Sequence, residues 1–151
     1  EEKTENEPLK VLGRLTKTGI ENTDRINISA TCTRVPVIDG HMAVVYIRFK
    51  DKKLSIDAIK SIWSEYKGLP QIEKLPTAPE RPIIYFDDEN RPQPKLDRDS
   101  EKGMAITIGR LAQDKFFDAR FVALSHNTIR GAAGGAILMA ELLVKKGYIH
   151  A

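Results

Sequence analysis

Six prolines fall between residues 69 and 103: Pro70, Pro76, Pro79, Pro82, Pro92 and Pro94. Proline has no backbone N–H and a fixed φ, so helix interiors and central strands exclude it. Within this stretch only residues 83–86, a β-branched and aromatic run clear of every proline, read as a short strand. A connection this long is uncommon inside a compact domain and marks a partner-facing segment. The long regular elements must therefore lie on either side of it.

Upstream, residues 3–12 carry a weak helical pattern, broken by Pro8 and stopped at Gly13. Residues 26–35 alternate and predict a strand. Pro36 and Asp39-Gly40 signal a tight turn, and residues 41–49 predict a second strand, the antiparallel neighbour of the first. Ser55 opens a helix with an apolar stripe of Ile56, Ile59, Ile62, Trp63 and Tyr66, ended by Gly68. Downstream, residues 104–111 and 119–124 predict two more strands around a turn at Asp114. A final helix runs from about Thr128 to Lys145, with Asn127 as its cap, Lys145 and Lys146 at its negative end, and Gly147 as its stop. Strands grouped together with helices to one side imply an α+β fold, a mixed, largely antiparallel sheet covered by helices.

Composition narrows the function classes. The 151 residues suit one domain with its own core. The 24 basic and 21 acidic residues are interspersed, which describes a solvated surface and argues against nucleic acid as a partner. No apolar run approaches the roughly 18 residues of a membrane span. The chain opens Glu1-Glu2-Lys3 with no basic leader and no initiator Met, which reads as a processed chain or a piece of a longer one. Cys32 is the one cysteine, so no intrachain disulfide forms and a reducing, cytoplasmic setting fits. One Cys and three scattered His give no metal-ligand spacing.

Arg34 and His41 flank the Val35–Gly40 corner. A guanidinium takes a carboxylate bidentately, and an imidazole moves protons near neutrality. Spacing alone leaves two readings open: half of an active site, or a surface arginine beside a turn histidine. Cys32 is likewise either an activated nucleophile or an inert core residue of the strand. The glycines and alanines of residues 131–135 expose backbone to something that approaches closely. That is either a ligand at the helix start, where Asn127 stands, or a packed neighbour, the better account of Gly134 and Gly135. No G-x-G-x-x-G follows an N-terminal strand, so the chain carries no dinucleotide fingerprint of its own.

Ser29-Ala-Thr-Cys-Thr-Arg-Val-Pro-Val-Ile-Asp-Gly-His41 resembles the active-site histidine segment of the aspartate-semialdehyde dehydrogenases, above all their archaeal and fungal branch. The resemblance continues through Leu75-Pro-Thr-Ala-Pro79, Arg91-Pro-Gln-Pro-Lys-Leu-Asp-Arg98, Gly103-Met-Ala105 and His126-Asn-Thr-Ile-Arg-Gly-Ala-Ala-Gly134. Ordered matches over nearly the whole chain are far more specific than any one of them.

The resemblance implies a fold like the C-terminal domain of glyceraldehyde-3-phosphate dehydrogenase-like enzymes. Residues 1–126 would be a catalytic and dimerisation domain, and residues 127–151 a helix that packs on an NADP-binding domain absent from this chain. That other domain supplies the nucleophilic cysteine in the family, which leaves Cys32 without a catalytic counterpart. His41 would be the acid/base, Arg34 the grip on the substrate α-carboxylate, and Lys3 and Glu1 part of the substrate and phosphate pocket. Asn127 would reach the cofactor's nicotinamide end. The implied reaction is the NADPH-dependent reductive dephosphorylation of L-aspartyl-4-phosphate to L-aspartate 4-semialdehyde and phosphate, in lysine, threonine and methionine biosynthesis. It would be carried out by a homo-oligomer, and the chain by itself would be inactive. Archaeal malonyl-CoA reductase is the nearest alternative, and a non-catalytic assembly domain is a second. The acyl-phosphate reductase of arginine synthesis has a different histidine motif.

Overall fold

The computed structural model describes residues 1–150. They divide into two compact units, Glu1–Pro36 and a second that begins at Val37.

The first unit opens with helix α1 (Glu2–Val11), which carries Pro8 within it. A hairpin of β1 (Arg14–Thr16) and β2 (Gly19–Glu21) follows. The Thr16 hydroxyl donates to the Gly19 carbonyl at 2.8 Å, and Gly19 supplies the positive φ of 135° that the turn needs. Residues 26–35 form no strand, contrary to the alternation. They lie beside α1, and side chains hold two of their amides: Ala30 N–H donates to Glu5 Oε1 at 2.8 Å, and Cys32 N–H to Glu1 Oε1 at 2.9 Å. Alternation specifies an extended backbone, but the ladder also needs a free strand edge. Cys32 is exposed, so the core-residue reading of this thiol also fails.

The second unit is built on a four-stranded sheet of β3 (His41–Ile47), β4 (Ile83–Phe86), β5 (Ile106–Ala112) and β6 (Ala119–Ser125). The strand order is β3-β6-β5-β4. The pairs β3–β6 and β5–β6 are antiparallel and β4–β5 is parallel, which gives the mixed, largely antiparallel sheet that the sequence implies. The neighbour of β3 is thus β6, not residues 26–35. Asp114 makes the β5–β6 turn by accepting the amides of Phe116 and Phe117 at 2.9 and 3.0 Å.

Helix α2 (Ile56–Glu65) starts where Ser55 Oγ accepts the Ala58 amide at 3.1 Å. Its Ile59 and Trp63 cover one sheet face, with Leu111, Ala119, Ile47 and Phe121. Ile62 and Tyr66 of the expected stripe are half exposed, and Gly68 precedes a short helix α3 (Leu69–Ile72). Helix α5 (Gly134–Lys145) sets Leu138 against Leu75 and Met104 in a second cluster. Gly134 is small for packing: a Cβ there would stand 2.4 Å from Met104 Sδ.

The proline-rich segment is ordered around β4 and a short helix α4 (Pro94–Asp97). It crosses the other sheet face so closely that a Cβ on Gly109 would stand 2.2 Å from the Arg91 carbonyl oxygen. Among the described residues no helix is long and apolar enough to cross a membrane.

Candidate functional site

His41 is the first residue of β3, paired across the ladder with Ser125. Period-two alternation puts it on the opposite face from Met42, Val44 and Tyr46. Its imidazole lies at a strand end and is exposed. The residue before it, Gly40, is buried with φ 110°, a conformation L side chains rarely adopt. A Cβ on Gly40 would meet Leu124 Cδ1 at 3.0 Å and Pro94 Cβ at 3.4 Å, so the turn is seated between β6 and α4.

That seat is itself braced. The Asp97 side chain is fully buried, and both its oxygens face the Arg91 fork. Arg91 Nε donates to Oδ2 at 2.7 Å, and the Gln93 amide reaches the same oxygen at 2.6 Å. A buried carboxylate satisfied this fully fixes α4 in place, with the guanidinium stacked 4.4 Å from the Phe86 ring centroid. Sequence reasoning found Arg91 and Asp97 only as part of a resembling motif. Their scaffold role follows from a contact six residues apart that no periodicity encodes.

Asn127 does not cap the final helix. The N-terminal flank of the helical stretch is Thr128, which makes no side-chain cap, and the stretch opens as a wide π turn, Ile129–Ala133, before α5. Instead Asn127 Oδ1 accepts the Gly40 amide at 2.8 Å. The helix start is secured by His126, which is buried. Its Nδ1 faces the Ile129 amide at 3.3 Å and the Thr128 hydroxyl at 3.2 Å, and its Nε2 lies 3.6 Å from Asp99 Oδ1. Its carbonyl accepts the Gly131 amide at 3.0 Å. The sequence offered no signal for His126 beyond its place in the last motif.

The other candidates belong to the first unit. Glu1 spends Oε1 on the Cys32 amide, two residues before Arg34, while Lys3 is the second residue of α1; Lys3 and Arg34 are both exposed. Glu1 and Arg34 are thereby brought to the same part of that unit, around a cysteine whose thiol stands 3.9 Å from Thr4 Oγ1. A separate cleft of about 720 Å³ lies in the second unit, lined in part by Met42, Val44, Tyr46, Arg110 and Arg120, and does not include His41.

A mixed sheet flanked by helices, with an exposed histidine on a braced turn at a strand end, defines an α+β domain. Residues 1–130 match the semialdehyde dehydrogenase dimerisation-domain family, and the chain belongs to it. The chain is 47% identical over 145 residues to aspartate-semialdehyde dehydrogenase of Methanothermobacter thermautotrophicus, covering 95% of this chain and 41% of that protein. It is 43% identical over 150 residues to the malonyl CoA reductase (NADP) of Metallosphaera sedula, covering 97% and 42%. The crystal structure of Candida albicans aspartate semialdehyde dehydrogenase with NADP superposes with a TM-score of 0.89 at 39% identity, over 99% of this chain and 43% of that one. The chain thus spans about two fifths of the length of the relatives it matches.

Proposed function

We propose that this chain is the catalytic and dimerisation part of an NADP-dependent aspartate-semialdehyde dehydrogenase. The enzyme would be a cytoplasmic oxidoreductase that makes L-aspartate 4-semialdehyde and phosphate from L-aspartyl-4-phosphate, for lysine, threonine and methionine synthesis. The observation that carries the reading is the Gly40–His41 turn. It is locked by a positive φ, a tight seat and a side-chain hydrogen bond, on a chain almost half identical to a named dehydrogenase over 95% of its length.

His41 takes the proton of a cysteine thiol supplied by a nucleotide-binding part outside these residues, and returns protons later in the cycle. Its exposed position at a strand end suits that traffic. Arg34 binds the substrate α-carboxylate as a planar fork and fixes the rotation of the reacting carbonyl. Lys3 and Glu1 line the substrate and phosphate pocket. Asn127 fits a role toward the cofactor: Oδ1 is engaged by Gly40, which leaves its Nδ2 hydrogens for the nicotinamide amide. NADPH, when bound, supplies the hydride.

Residues 1–126 would form the catalytic and dimerisation domain, and the helix beyond Asn127 would dock on the nucleotide-binding part. Ile137, Met139 and Val144 on α5 are about half exposed, which supports such a covered face. The homo-oligomer would form through the part of the sheet face that β3 leaves open, where Val44 is 67% exposed between Met42 and Tyr46.

Malonyl-CoA reductase is the second reading, favoured by the 43% identity to the Metallosphaera enzyme. The test is turnover of the full-length protein on aspartate semialdehyde plus phosphate and on malonyl-CoA, with His41→Asn alongside. The expected result is activity on the first substrate, lowered about 100- to 10,000-fold in the variant with its fold unchanged. Turnover only on malonyl-CoA selects the second reading, and an unimpaired variant removes His41 from the chemistry.

A further inference from the structure

Asn127 and His41 are 86 positions apart by number, yet the sheet makes them neighbours in consequence. The β3–β6 ladder ends at the pair His41 and Ser125. One step further, main-chain pairing stops, because Gly40 turns away at φ 110°. Its amide still needs an acceptor, since the residue is buried and an orphaned buried N–H is costly. The Asn127 side-chain oxygen fills that place at 2.8 Å. Asn127 is itself held from behind: the neighbouring His126 ring and carbonyl engage Ile129 and Gly131, so the corner that carries Asn127 is tied into the start of the last helix.

We infer that Asn127 is a positioning residue for His41, acting through the Gly40 amide. The inference rests on the proposed role of His41. The two ends of the Asn127 amide then divide the work: Oδ1 orients the histidine turn, and Nδ2 is free for the cofactor. A misplaced acid/base costs rate even when every substrate is bound, because an offset of about 1 Å is enough to lose a hundredfold.

The experiment uses the full-length protein and three variants, Asn127→Ala, Asn127→Asp and His41→Asn, each first checked for fold by near-ultraviolet circular dichroism. The readout is kcat at saturating NADP, with KM for NADP measured separately. Asp keeps the oxygen acceptor and loses the amide donor; Ala loses both. The expected result is a kcat about tenfold or more lower in Asn127→Ala than in Asn127→Asp, whatever happens to KM, because both variants lose the Nδ2 donor and only Asp keeps the oxygen acceptor. Equal kcat in the two Asn127 variants, both normal or both low, overturns the inference. If Asn127→Ala does not fold, Asn127→Leu, of similar size and without either polar end, takes its place in the same comparison with Asn127→Asp. Full activity in His41→Asn instead overturns the functional reading beneath it, an outcome the Asn127 variants cannot produce.

Discussion

The two units contrast in how they hold their candidate residues. In residues 1–36 no residue is buried, and the segment that carries Arg34 is tied by the carboxylates of Glu1 and Glu5. The second unit fixes His41 with main chain: a seven-pair ladder, a seated glycine and a clamped amide, all backed by the pair of Arg91 with the buried Asp97. A proton-transferring group must be held to within a fraction of an ångström, and rigid elements do this better than loops. A carboxylate-gripping arginine works through a long side chain and tolerates a looser mount. The division of labour in the proposed mechanism therefore matches the division in packing.

Removing one brace from each unit breaks this comparison at its strongest and weakest points. Asp97→Ala removes a buried carboxylate from the partly exposed Arg91 fork and from the Gln93 amide, and is expected to cost about 2 kcal/mol by chemical denaturation. The matching change in the first unit, Glu5→Ala, removes one bond to the Ala30 amide and is expected to cost about 1 kcal/mol or less. Equal losses would mean that the two units are held alike.

A smaller effect sharpens the account of the sheet. The amides of Phe116 and Phe117 hold the Asp114 carboxyl below the ordinary aspartate range. A depressed carboxylate stabilises the fold above its unfolded value, and that contribution is lost as pH falls through the lowered folded value. Asp114→Asn is thus expected to lower the melting temperature slightly at neutral pH, with the gap from wild type closing in acid below the usual aspartate range. A gap that stays constant with pH would show that the turn does not depend on the charge.

Much of the second unit was legible in the sequence, because its elements carry their own signals. Residues 83–86 stand clear of proline, residues 41–49 are β-branched and aromatic, and Ser55 caps its helix as its type predicts. The partner of β3 was not legible, since β6 lies about 80 residues on and periodicity does not encode pairing. Residues 26–35 show the converse, a strand-like alternation whose amides are claimed by acidic side chains. The β1–β2 hairpin escaped because its strands have three residues each and expose Leu15 and Ile20. Asn127 has the residue type of a cap, but a tertiary bond to Gly40 took its oxygen. For the site, spacing leaves His41 and Arg34 open and the ordered motifs make them candidates, whereas the brace behind His41 is made of tertiary contacts that no local pattern encodes.

The central claim is that these residues supply half of an active site. The most direct measurement is turnover of aspartate semialdehyde, phosphate and NADP by the isolated 151-residue domain, then by the same domain joined to the nucleotide-binding part of its full-length protein. The account predicts no turnover from the domain alone and His41-dependent turnover from the joined protein. Turnover by the isolated domain would contradict it.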